Sequence, residues 1–194
     1  MRIGRYFDRI YNKRMLKKNH VVFGNGLSVN GRLFISADKR NSIIIGDNVK
    51  INSSEAANPV SGIRTKLCTN KGGKIIIGNR VGMSNVTIYS FEEIAIEDDV
   101  FLGAGVRIYD TDFHSINYEE RMNNTGTKQK AVKICKGAFI GAEAMILKGV
   151  TIGRNSVVGA GSVVTKSIPD NEVWGGNPAH LIRKIKDDLR DVII

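Results

Sequence analysis

The chain has 194 residues, 42% of them hydrophobic, two cysteines, three histidines and a formal net charge of +10. This length suits one domain with terminal additions, and no apolar run approaches the roughly 20 residues a membrane-spanning helix requires. The N-terminus lacks an apolar signal-peptide core, and Cys68 and Cys135 form no metal or redox motif, so a cytoplasmic, metal-free protein is expected. The positive excess suits nucleic acid, an anionic membrane or a phosphorylated ligand. No stacking-aromatic motif or nucleic-acid-binding signature is found, so nucleic acid is not expected as a partner.

The first predicted element is a helix within residues 1–20. Arg2, Arg5, Arg9, Lys13, Arg14, Lys17 and Lys18 stand against a single acid, Asp8. Ile3, Tyr6, Phe7, Ile10 and Tyr11 recur at the spacing of one helical stripe. The helix is expected to pack against the coils that follow and cap their open end, as solenoid ends require. The alternative is that residues 2–18 lie on an anionic membrane surface.

Residues 21–168 are read as one repeat region: from Ile96 the sequence keeps a beat of six, and the earlier pieces Ile43–Ile51 and Ile75–Met83 fit it less regularly. Ile96, Leu102 and Ile108 form one series; Ile134, Ile140, Ile146, Ile152, Val158 and Val164 form another. Four places after each aliphatic comes a small or β-branched residue: Val100, Val106, Ala138, Ala144, Val150, Ser156, Ser162 and Ile168. A helix would scatter such a series over several faces. Six is even, so in strands the aliphatics all point one way. Short strands joined by tight turns, stacked into a solenoid, bury one continuous column. A β-sandwich is the rival, but its turns usually fall about 8–12 residues apart.

The beat is interrupted in three places. Residues 53–73 read as a loop or an irregular coil. Between Met83 and Ile88 the register slips by one, which predicts a bulge carrying Asn85. Residues 111–131 form a polar insertion, and such a loop in a compact repeat fold is usually functional or disordered. Pro169 then ends the beat. Within 169–194, Ala179, Leu181, Ile182, Ile185 and Leu189 suggest a closing helix after Pro178.

The repeat and the stretch "IGRNSVVGAGSVVTKSIPDNEVWGGNPAHLIRKI" resemble the hexapeptide-repeat acyltransferases, over about residues 40–185. The likeness is to the galactoside and maltose O-acetyltransferases and to the sugar O-acetyltransferases of surface-polysaccharide synthesis. It implies an all-β, left-handed parallel β-helix with helices at both ends, although the general crossover rule favours the right hand. It implies acetyl-CoA as co-substrate, a sugar or saccharide acceptor and a homotrimer with sites between subunits.

The histidines are His20, His114 and His180. A lone loop histidine is ordinarily unremarkable, but the resemblance places the catalytic base in the loop of His114. A neutral imidazole can take a hydroxyl proton as the acetyl thioester is attacked. Neither cysteine has an evident base partner in sequence, so direct transfer is preferred to an acyl-enzyme. In extended chain Asp110, Asp112 and His114 share a face; Asp112 is the chosen orienter and Asp110 a substrate contact, against solvated loop carboxylates. The resemblance puts Asn85 beside the acceptor and a backbone N–H at Ala142 on the developing oxyanion. Gly141, Ala142, Gly159 and Ala160 are small enough to admit a pantetheine arm. Thr165, Lys166 and Arg183 would meet the nucleotide end of the coenzyme. Rival readings are N-acetylation of an amino-sugar nucleotide, xenobiotic acetylation, a non-catalytic scaffold, and a β-helical metal protein. The last needs several converging histidines, and no second loop histidine accompanies His114.

Overall fold

The computed structural model describes residues 3–54 and 61–185. Three sheets of six, eight and six strands, parallel except for the last strand of the eight-stranded sheet, form the three faces of a left-handed parallel β-helix. A full coil contributes one strand to each face in turn. Glu93–Ile96, Phe101–Leu102 and Arg107–Tyr109 make one coil; Val132–Ile134, Phe139–Ile140 and Met145–Ile146 make the next. Their registers align Leu102 with Ile140 and Ile108 with Ile146. Every aliphatic of the two six-residue series is buried, none more than 3% exposed. The residues four places on are buried as well, and their two serines find partners. Ser156 Oγ donates to the Pro169 carbonyl at 2.6 Å, and Ser162 Oγ accepts from the Gly176 N–H at 3.1 Å.

The slip near Asn85 lies in a corner rather than in a strand. Met83 still pairs with Leu102 and Ile88 with Ile108. Met83 and Ile88 are five positions apart where Leu102 and Ile108 are six, so the corner between them has lost a residue. Asn85 occupies it at φ 50°, the left-handed region that asparagine tolerates. The next corner is longer: Ile88 and Ile94 are six positions apart, whereas the equivalent Ile146 and Val150 are four. One fewer and two more give the net gain of one. Residues 53–73, read as irregular, include a regular strand, Lys66–Thr69, on the third face.

The first end of the stack is capped by helix α1 (Ile3–Lys18). An amphipathic helix normally buries its apolar stripe, but here Tyr6 and Phe7 are more than half exposed. The inner face is formed by Asn12, Met15, Leu16 and Asn19. Asn12 is buried; its amide donates to the Gly31 carbonyl at 2.8 Å and its oxygen accepts from the Leu33 N–H at 3.0 Å. Asn19 accepts from the Ala37 N–H at 3.1 Å. The terminal coil has peptide groups with no coil above them, and such groups must be paired. Two asparagines meet that need better than the apolar stripe can.

The other end corrects the expected helix. The stack continues past Pro169, with Glu172–Gly176 parallel to Val157–Val158. Ala179–Lys184 is a strand, antiparallel to Glu172–Gly176. An unpaired sheet edge offers a full ladder of donors and acceptors, and this outweighs the weak helical spacing of 179–185. Leu189 and the rest of that expectation lie outside the described residues.

Candidate active site

His114 sits where the third face turns into the first, at the head of the 111–131 insertion. The chain leaves strand Arg107–Tyr109, and the neck of the loop closes on itself. The Lys130 N–H donates to the Asp110 carbonyl at 2.8 Å and the Asp112 N–H to the Lys128 carbonyl at 3.0 Å. Thr111 bridges antiparallel to Gln129. Phe113 takes φ 62°, a sparsely populated region for a bulky residue. Its N–H donates to Thr111 Oγ1 at 3.1 Å, and its ring meets Tyr89, Phe91 and Tyr109 with centroids 5.2, 6.0 and 5.3 Å away. These edge-on contacts hold the backbone, and the His114 N–H donates to the Asp112 carbonyl at 2.7 Å. The imidazole itself is exposed. The loop tip carries a short helix, α2 (Tyr118–Met122), capped by Asn117.

The two aspartates have other tasks than those expected. Asp110 is fully buried. Its Oδ1 accepts from the Phe91 N–H at 2.7 Å; its Oδ2 accepts from Ser90 Oγ at 2.6 Å and from the Glu92 N–H at 2.9 Å. It therefore closes the lengthened corner of the preceding coil and has no face left for a substrate. Asp112 turns its carboxylate to Lys148, 2.7 Å away, not to the His114 ring. Lys148 belongs to the same corner one coil on, so stacking delivers it where sequence distance did not suggest it. Burial raises the Tyr109 phenol above its ordinary value.

The remaining predicted residues divide between two edges of the prism. Gly141, Ala142, Gly159 and Ala160 lie where the second face turns into the third, in line with Asn85 and Gly103. Asn85 is buried and its N–H donates to the Asn52 carbonyl at 2.9 Å. Gly141 is small for a reason other than a coenzyme: a Cβ there would lie 2.5 Å from the Ala160 nitrogen and 2.7 Å from the Val158 oxygen. At Gly159 the nearest atoms would be 3.5 Å away, ordinary contact. Ala142 is half-buried, and its N–H donates to no group among the described residues. Thr165 and Lys166 are exposed on the His114 edge, and Arg183 is exposed on the terminal strand beside the second face.

In one chain, then, the third face separates His114 from the glycine–alanine corners. Among the described residues, the marked clefts, 380 to 580 Å³, flank α1 and are not lined by His114. Among the described residues, no three His, Cys, Asp or Glu side chains gather as a metal site. The aromatic set around Phe113 was legible in part. Tyr89 and Tyr109 each follow a column residue, Ile88 and Ile108, so strand parity places both outward on one face.

Residues 131–166 match the bacterial transferase hexapeptide (six repeats) family. Over 117 residues the chain is 39% identical to the galactoside O-acetyltransferase of Escherichia coli K12, covering 60% of this chain and 57% of that one. The chain spans about half the length of the curated relatives it matches. Among solved structures, a galactoside acetyltransferase in complex with coenzyme A superposes with TM-score 0.61 at 26% identity, over 96% of this chain and 85% of that chain. An N-acyltransferase from Bacillus cereus, solved with dTDP-4-amino-4,6-dideoxyglucose and coenzyme A, reaches TM-score 0.71 at 23% identity, over 91% and 90% of the two chains; that likeness concerns the fold alone. The fold is a left-handed parallel β-helix, and in residues 131–166 and in its relatives the chain is similar to hexapeptide-repeat acyltransferases.

Proposed function

We propose that this chain transfers an acetyl group from acetyl-CoA to a hydroxyl of a sugar or saccharide, directly and with His114 as general base. The observation that carries the reading is the placement of His114. It is an exposed imidazole on a braced loop at one edge of the third face, while the small-residue corners lie along the other. Two edges of one prism cannot line one cleft, but the edges of two neighbouring prisms can. The sites would then lie between subunits, in the homotrimer that the resemblance implies. The acceptor hydroxyl gives its proton to the His114 imidazole as its oxygen bonds to the acetyl carbon. The Ala142 N–H supports the oxyanion that develops on the carbonyl. When the carbon–sulfur bond breaks, the imidazolium returns the proton to the departing thiolate. Gly159 and Ala160 flank the pantetheine arm, and Thr165, Lys166 and Arg183 meet the nucleotide, where basic groups suit phosphates. The galactoside O-acetyltransferase relatives support the acceptor class.

Thiol release from acetyl-CoA, measured over a panel of sugars and amino sugars, tests the reading. Release with hydroxyl acceptors supports it. Release with amino sugars alone means N-acetylation, and none at all favours a scaffold. Mixing His114→Ala chains with Ala142→Trp chains should restore part of the activity each lacks, because some interfaces then pair an intact base with an intact corner. A fully active monomer overturns the shared site.

A further inference from the structure

Part of the apolar stripe of α1 is turned away from the protein: Tyr6 and Phe7 are exposed, whereas Ile10 and Tyr11 are half-buried, with Arg32 over the Tyr11 ring. At about 100° per residue, with Asn12 at the centre of the inner face, Ile10 and Arg14 lie nearly opposite it. Tyr6, Phe7 and Lys17 fall on the same outer side, with Lys18 at its margin. Tyr6 is 53% and Phe7 55% exposed, and their rings meet edge to face at 5.8 Å. Phe23, 49% exposed, stands at the other end of the helix beside Lys13 and Lys17.

The charge around this stripe is of one sign. Arg9 and Lys13 flank one side, Arg5 turns toward the coils, and Arg14, Lys17 and Lys18 run through and along the other side. The single acid, Asp8, lies toward the coils and is paired with Arg32 at 2.7 Å. Arg14, Lys17 and Lys18 form no ion pair or side-chain hydrogen bond among the described residues. No described helix is long and apolar enough to cross a membrane. An exposed apolar stripe bordered by Lys and Arg is the pattern of a helix lying in the plane of a lipid–water interface. Its cations would be drawn to anionic headgroups, and its aromatics would reach the acyl boundary.

We propose that the α1 end of this protein docks on an anionic lipid bilayer, with Tyr6 and Phe7 entering the interface and Arg14, Lys17 and Lys18 meeting the headgroups. The proposal is independent of the acetyl-transfer reading. α1 caps the solenoid with one face and binds lipid with the other.

Sedimentation of the full chain with vesicles of phosphatidylcholine alone, or of phosphatidylcholine with phosphatidylglycerol, tests it. Binding to the mixed vesicles, weakened by salt and absent from the neutral ones, is expected. The variants Tyr6→Ser/Phe7→Ser and Arg14→Glu/Lys17→Glu/Lys18→Glu should each lose at least tenfold in affinity. Neither touches the Asn12 face, so both should keep the parent's thermal unfolding temperature. Failure to bind mixed vesicles, or equal binding to neutral ones, overturns the proposal. So does undiminished binding by either variant. If the serine variant instead reduces the size of the protein's own assembly and the parent ignores vesicles, the stripe is a contact between copies and the proposal fails.

Discussion

From the corner after Ser90 onward, the two edges of the third face obey different rules. Along the edge from the second face, coils are nearly flush, and Gly103 and Gly141 leave no space: a Cβ at either would come within 2.6 Å of backbone in the next coil. Along the edge toward the first face the corners vary in length; further upstream the second-to-third edge is interrupted as well, by residues 54–65 between Lys50–Ser53 and Lys66–Thr69. The corner after Ser90 is longer by two residues, and the one after Tyr109 carries the whole 111–131 insertion. A corner that must stack tightly can vary little. A corner that projects can lengthen, provided its backbone groups are paired, as Asp110 pairs the N–H groups of Phe91 and Glu92. Chemistry that needs a side chain held out into a cleft belongs to the second kind of edge, and His114 is found there.

The largest effect that would sharpen this contrast is on turnover. His114→Ala should lower kcat by about 10²–10⁴-fold, the usual share of a general base, with little change in the KM for acetyl-CoA or in unfolding temperature. Steady-state kinetics with a responsive acceptor checks it; near-normal kcat would remove the projecting edge from the mechanism. Next comes Asp110→Ala, which strands buried donors and should cost about 3 kcal/mol. Denaturant unfolding should show a lowered midpoint; if stability is unchanged, Asp110 does not hold the edge together.

A smaller effect separates two glycines on the flush edge. Gly141→Ala forces a Cβ into backbone and should cost about 1–3 kcal/mol. Gly159→Ala, with only ordinary contacts, should cost well under half of that. Equal losses would mean that stacking does not set the rule at this edge.

The smallest effect is electrostatic, along the third line of corners, from the first face to the second. The Lys133 ammonium and then the Lys136 N–H hold the Glu97 carboxyl below its ordinary value. The Asn79 N–H does the same for Asp98, and Arg80 for Asp99. Folded values below unfolded ones mean a contribution that is complete above the ordinary carboxylate range, about pH 4, and lost as pH falls through the lowered values. These groups are solvent-screened, so Asp98→Asn should flatten the acid limb of a stability–pH curve only slightly. A large change at neutral pH would contradict that assignment.

The buried column was readable because parity is a local property: a step of six keeps Ile134, Ile140 and Ile146 on one side whatever the coil does next. His114 and the insertion were readable because a polar interruption stands out against a regular beat. Asp110 and Asp112 were misread because extended-chain parity says nothing of what the neighbouring coil presents. Phe91 N–H and Lys148 Nζ reach the two carboxylates across separations of 19 and 36 residues.

By itself the sequence determined the period, the buried aliphatics, the helix at residues 3–18 and the place where regularity fails. Tertiary structure decided what the ends do, since an end is defined by what it lacks. The first coil had unpaired peptide groups, and Asn12 and Asn19 satisfied them, so α1 turned Tyr6 and Phe7 outward. Ala179–Lys184 had an open sheet edge within reach and became a strand, because a ladder of hydrogen bonds to a distant segment outweighs a weak local preference for helix.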